Sequence, residues 1–137
     1  PLIISAPGKK PAVCNSFVEL LDLYPTLAGM CGLKAQERLQ GKDVSKMLDH
    51  PNHSVREAAF CVAPARKGFL LRDEKWAYIQ YGEKAENGIE LFDVEKDPKQ
   101  YVNLAKKKKY QPAVKAFQKK MADKLVAVRD NDLGRRK

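Results

Sequence analysis

The chain has 137 residues, 44% hydrophobic and 31% charged, the balance of a folded globular chain of one domain or slightly less, not of a disordered one. Its longest apolar runs are a few residues, such as 1–4, far below the ~20 that cross a bilayer, so no membrane span is expected. The net charge of +9 lies wholly in the tail, since residues 1–104 carry 14 Lys/Arg and 14 Asp/Glu while residues 105–137 carry 12 and 3.

Pro1-Leu2-Ile3-Ile4 is a bare apolar run stopped by Ala6-Pro7-Gly8, the pattern of a strand buried on both faces of a parallel sheet. Such a strand needs neighbours on both sides, and no second strand of that kind follows. With no initiator Met and no leader pattern in front, Pro1 reads as a cut, and the chain as a fragment whose remaining sheet lies upstream.

Phe17, Leu20, Leu21, Tyr24, Leu27, Ala28 and Cys31 recur at spacings of three and four, a helical stripe closed by Gly32 as a left-handed cap. Two starts compete, the Ser16-x-x-Glu19 box and Asp22 as N-cap. The second puts Pro25 in the first turn, where its missing N–H does no harm, and predicts a short helix over 23–31. Gly41 is expected to turn the chain with a positive φ, followed by one or two helical turns over 44–48.

The texture changes near Arg56. Residues 58–63, 68–72, 76–81 and 89–94 are strand-like, joined by short polar connections, which predicts a four-stranded antiparallel meander. In the third run Trp76, Tyr78 and Gln80 face one way and Ala77, Ile79 and Tyr81 the other, so one face can pack and the other stay partly wet. Val114, Phe117, Met121, Leu125 and Val128 then mark an amphipathic helix over 110–129 that needs the sheet to bury its stripe. The fold class is therefore α+β: a four-stranded antiparallel sheet packed by a C-terminal amphipathic helix, preceded by a strand and helices belonging to a larger α/β body. The division falls between residues 1–55 and 56–137.

Chemistry is sparse. Cys14, Cys31 and Cys61 are odd in number and widely spaced, and read as core thiols, not a disulfide framework. His50 and His53 have no Cys or carboxylate partners at ligand spacing and read as a surface loop, not a zinc site. Asp130-Asn131-Asp132 reads as a polar helix end flanked by arginines, not a calcium pair. No serine lies in G-x-S-x-G, and no Gly-rich phosphate loop exists. Catalytic and metal-ligating residues are therefore assigned to none of the chain, and the substrate contacts are unknown. The basic tail reads first as a solvated helix face with a frayed end. Its alternative is a polyanion arm built on Lys106, Lys107, Lys108 and Lys109, binding a sulfated glycan, with nucleic acid disfavoured because no aromatic residues are spaced to read bases.

Five segments carry a resemblance. They are Pro1-Leu2-Ile3-Ile4-Ser5-Ala6-Pro7-Gly8, then Val18 through Gly29 with its Asp22-Leu23-Tyr24-Pro25-Thr26 centre, Leu39-Gln40-Gly41-Lys42-Asp43, Leu71-Arg72-Asp73-Glu74-Lys75-Trp76-Ala77-Tyr78, and Glu90-Leu91-Phe92-Asp93-Val94-Glu95-Lys96-Asp97-Pro98 with Asn103-Leu104-Ala105. In this order they resemble the late portion of sulfatases of the alkaline phosphatase superfamily, the iduronate-2-sulfatase-like enzymes nearest. Asp73 stands one place earlier than in that family's hairpin.

The resemblance implies a sulfuric ester hydrolase whose formylglycine, made from the Cys of C-x-[PA]-x-R, attacks sulfur beside a calcium ion. Cys61-Val62-Ala63-Pro64-Ala65-Arg66 departs from that pattern, with Ala65 where Arg is required, so formylglycine and calcium are implied for the parent enzyme and not for these residues. Residues 1–55 would then close the catalytic α/β domain, and 56–137 would be the C-terminal subdomain that braces it and forms one wall of the substrate pocket, inactive alone. The remainder of the catalytic domain and a sulfate ester, a sulfated glycan among the candidates, are the implied partners, and a periplasm, lysosome or cell exterior is the implied location. Two other readings stay open: a self-standing polyanion-binding module, and the same ending on a phosphonate or phosphate monoester hydrolase.

Overall fold

The computed structural model describes residues 1–63 and 68–130. It divides into two compact units, Pro1–Glu57 and Ala58–Lys137.

The first unit is helical and loop-rich. A 3₁₀ turn, Leu20–Asp22, runs directly into helix α1, Leu23–Met30. Pro25 falls in the first turn of α1, and Gly32 caps its end at φ +69°. The box at the start is not Ser16 with Glu19. Glu19 and Asp22 exchange bonds instead, the Asp22 carboxylate accepting the Glu19 N–H at 2.7 Å, while the Ser16 hydroxyl donates to the His53 carbonyl at 2.8 Å. A second 3₁₀ turn occupies Ser45–Leu48.

Residues 1–4 form no strand, and Ile3 is 89% exposed. The reason is the one that makes the run conspicuous: a strand exists only through its ladder, and among the described residues this unit holds no second strand. Gly41 does not take a positive φ either. A Cβ there would collide with the Leu21 carbonyl oxygen, so glycine is needed for close backbone approach.

The second unit is the meander. Strands β1 (Ala59–Ala63), β2 (Gly68–Arg72), β3 (Trp76–Tyr81) and β4 (Ile89–Asp93) pair antiparallel in sequence order. The register aligns Phe60, Leu71, Tyr78 and Leu91 across the sheet. On that face lies helix α2, Gln111–Arg129, which buries Val114, Phe117, Met121 and Leu125. Tyr78, Leu91 and Met121 are wholly removed from solvent, and the Tyr78 and Phe117 rings meet at 5.8 Å. The opposite face is drier than alternation alone predicts, because Ala77, Phe92 and Val94 are buried there with Leu70 and Ile79 packed against them.

The cysteines are not core thiols: Cys31 and Cys61 are exposed and Cys14 is half-buried. Cys61 lies on β1 opposite Leu70, and so on the sheet face that α2 does not cover. No described helix is long and apolar enough to cross a membrane.

Candidate functional site

The motif residues converge on two polar nodes, the first of them buried. In the first, Asp22 is completely buried and its carboxylate accepts the N–H groups of Glu19 at 2.7 Å and Lys42 at 2.8 Å. Both of its oxygens also take the Arg56 guanidinium, Oδ1 from Nη2 at 2.5 Å and Oδ2 from Nη1. Arg56 Nε stands 3.6 Å from Glu19 Oε1. Thr26, buried beside it, donates its hydroxyl to the Asp22 carbonyl at 2.6 Å and accepts the Val44 N–H at 3.0 Å.

Burial by itself would raise the Asp22 carboxyl. The Arg56 hydrogen bond, the two backbone N–H groups and the guanidinium charge outweigh it and hold the pKa below the ordinary 3.8. For Arg56 the Asp22 hydrogen bond outweighs burial and raises its pKa. The node staples α1, the Gly41 turn and Arg56 together through charge-assisted bonds.

The second node closes β4. Asn103 Oδ1 accepts the N–H groups of Leu91 at 3.2 Å and Ala105 at 2.9 Å, and Leu104 N–H donates to the Leu91 carbonyl at 2.8 Å. Asp97 Oδ2 accepts the Val102 N–H at 2.8 Å and Asp93 Oδ1 the Lys96 N–H at 3.1 Å, shaping the Asp97-Pro98 turn that brings residues 103–105 back. In the middle of the sheet the Tyr78 hydroxyl donates to Gln80 Oε1 at 3.2 Å, and burial, which outweighs a Gln118 hydrogen bond, pushes its pKa up to about 12. These groups hold backbone. None presents a nucleophile, acid or base to an open cavity.

Sequence reasoning identifies Asp22 as a helix start but misses its partner, since Arg56 lies 34 residues away. It likewise sees the Asn103 motif without its target. The available signal is a charged residue at the edge of an apolar stripe, where no surface reason places it.

The remaining candidates scatter. Cys61 is exposed on β1, while Pro64, Ala65 and Arg66 of its near-motif lie outside the described residues. His50 is exposed, and the His53 carbonyl serves Ser16. Asp130 is exposed at the end of α2, and Asn131 and Asp132 lie outside the described residues. A calcium site needs several oxygen ligands converging on one point. Among the described residues no three His, Cys, Asp or Glu side chains gather as a metal site, so they do not fit the ion. Lys106, Lys107, Lys108 and Lys109 are all exposed, between the Asn103 node and the first turn of α2.

The chain belongs to the N-sulphoglucosamine sulphohydrolase C-terminal family, whose sequence model matches residues 1–128. It is 32% identical over 120 residues to arylsulfatase K of Mus musculus, covering 77% of this chain and 21% of that protein. With arylsulfatase K of Bos taurus the identity is 31% over 120 residues, covering 78% and 22%. Among solved structures it is similar to a 2-O GAG sulfatase, with a TM-score of 0.67 and 25% identity over 85% of this chain and 26% of that one. It is also similar to the phosphonate monoester hydrolase of Agrobacterium radiobacter, with a TM-score of 0.54 and 26% identity over 79% and 24%. The chain thus spans about a fifth of the length of these curated relatives. The sulfatase resemblance read from the motifs is borne out at the level of the family, not of the iduronate-2-sulfatase subgroup.

Proposed function

We propose that this chain is the C-terminal portion of a sulfuric ester hydrolase, in which residues 56–137 brace the catalytic domain and supply one wall of the substrate pocket. Residues 1–55 are then the closing segment of that catalytic domain. The observation that carries the reading is the match of the sulfatase C-terminal family along residues 1–128, in a chain whose buried Asp22, Thr26, Gln80 and Asp93 side chains each bond backbone. Formylglycine and calcium are assigned to the parent enzyme outside these residues, and a sulfated glycan is the natural class of ester. The complete protein works in a periplasm, lysosome or cell exterior.

The test is hydrolysis of a chromogenic aryl sulfate by the purified 137-residue chain, with calcium and after its chelation. No turnover is expected in either condition. Turnover that survives chelation would place a nucleophile within the chain and overturn the assignment. A second reading, favoured by the likeness to the phosphonate monoester hydrolase, keeps the same ending on a different ester. It is separated by offering the complete protein an aryl sulfate and a phenyl phosphonate side by side.

A further inference from the structure

From Lys99 to Lys124 the chain carries nine lysines and a single acid, Asp123. Eight of the nine are exposed and Lys124 is half-buried. Of these nine lysines, Lys119 meets a carboxylate, that of Asp123 at 4.0 Å. Beyond that pair, and the Lys120 and Lys124 ammonium groups over the Phe117 and Phe60 rings at 5.3 and 5.5 Å, the placement works against the helix. Its first turn holds no acid, and Lys108 and Lys109 stand just before it, where the helix end carries partial positive charge and cations are disfavoured. Lys115 and Lys119, then Lys120 and Lys124, are spaced four apart with like charge, which also opposes helix stability.

The fold adds a cation that the sequence keeps apart. Trp76, at the start of β3, meets Tyr110, just before α2, edge to face at 5.8 Å. Lys75 Nζ lies over the Trp76 ring at 5.3 Å and Lys109 Nζ over the Tyr110 ring at 5.7 Å. The Asp73 carboxylate beside Lys75 is turned onto the backbone N–H groups of Lys75 and Trp76. The β2–β3 turn and the start of α2 thus bring two ring-held ammonium groups to one end of the sheet, with Lys106, Lys107 and Lys108 just before Lys109 in the chain. The lysines of α2 continue from there, Lys115 to Lys124 spanning ~14 Å at 1.5 Å per residue.

We propose that this lysine surface, running from Lys75 and Lys106–109 along the exposed side of α2, binds a sulfated polysaccharide chain. The choice of polyanion rests on the sulfatase reading above; the existence of the surface does not. The chemistry also favours sulfates over nucleic acid. Trp76 and Tyr110 are packed edge to face against each other and the core with ammonium groups over their rings, and the exposed Tyr101 ring stands apart under Lys99, so no rings are stacked in series for successive bases. Lysine supplies compact point charges, suited to sulfates spaced along a flexible chain.

The test titrates the 137-residue chain with fluorescently labelled heparin, with fully desulfated heparin, and with single-stranded DNA of matched charge, over a series of salt concentrations. Heparin is expected to bind, desulfated heparin and DNA at least ~10-fold more weakly, with log affinity falling linearly in log salt. Changing Lys106, Lys107, Lys108 and Lys109 together to Gln should weaken heparin ~10-fold or more and lower the salt slope by roughly two to four. Lys115→Gln with Lys120→Gln, on the exposed helix side, should weaken it by a smaller factor, and circular dichroism should show both variants folded. No heparin binding at low salt, an affinity unchanged in both variants, or DNA bound as tightly as heparin would each overturn the proposal. Turnover of a small aryl sulfate by the complete protein reads the enzyme assignment separately, so a protein that binds heparin and hydrolyses no sulfate ester would sink that assignment and leave this surface standing.

Discussion

Replacing Arg56 by Met isolates the first node. The substitution leaves a wholly buried Asp22 carboxylate with two backbone N–H donors and no counter-charge. Removing one partner of a buried ion pair costs ~3–5 kcal/mol. The Arg56 side chain is 12% exposed, so water can reach the vacated position and the lower end applies, about 3 kcal/mol. That is a large share of the ~5–15 kcal/mol that holds a typical domain.

Urea unfolding followed by circular dichroism should show that loss. Amide exchange should accelerate at Lys42 and Val44, whose N–H groups end on Asp22 and Thr26. Asp22→Asn combined with Arg56→Met should lose less than the two single changes added, because the orphan charge is gone. The pH dependence has a definite sign. A carboxyl held below its ordinary 3.8 contributes stability that is complete above that value and is lost as pH falls through the lowered one. Without Arg56 only the backbone donors oppose burial, so the Asp22 pKa is less depressed and its share of the acid loss should shrink. A cost under about 1 kcal/mol, with Lys42 exchange unchanged, would refute the clamp as a stabilising element.

Three further outcomes follow from single contacts. Gly41→Ala should destabilise by more than ~2 kcal/mol in the same urea assay, because its Cβ meets the Leu21 backbone carbonyl and no side chain can swing away. Met121→Ala, at a wholly buried position, should cost ~2–5 kcal/mol, whereas Val126→Ala on the same helix, 71% exposed, should stay within ~0.5 kcal/mol. In a spectroscopic titration, one of the five tyrosines should ionise only near 12, and Tyr78→Phe should remove it. Since that pKa is raised on folding from 10, the stability it contributes should be intact below 10 and fall away as pH climbs towards 12.

The second unit is legible in the sequence because its rules are local. Period-two runs with polar breaks give β1 to β4, and the spacing of Val114, Phe117, Met121 and Leu125 gives the buried face of α2. The first unit is less so, because its structure rests on contacts distant in sequence. Asp22 finds Lys42 and Arg56, 20 and 34 residues on, and Thr26 finds Val44. Nothing in a local window separates Asp22 as an N-cap from Asp22 as the hub of a clamp. Pro1 to Ile4 shows the converse: its local pattern is that of a strand, but a strand is made by its partners, and no described residue of this chain pairs with it. Gly41 shows the same limit, since a glycine needed for a turn and one needed for close approach look alike until Leu21 is seen against it. The absence of C-x-[PA]-x-R is legible in the sequence, and the described motif residues Asp22, Asp97 and Asn103 bond backbone.

The sulfatase assignment is tested most directly by release of inorganic sulfate from an aryl sulfate by the complete protein that carries this segment, measured with residues 1–137 present and removed. It expects turnover when they are present and its loss when they are removed. Equal turnover in both forms would contradict it, as would a folded, complete protein that releases no sulfate.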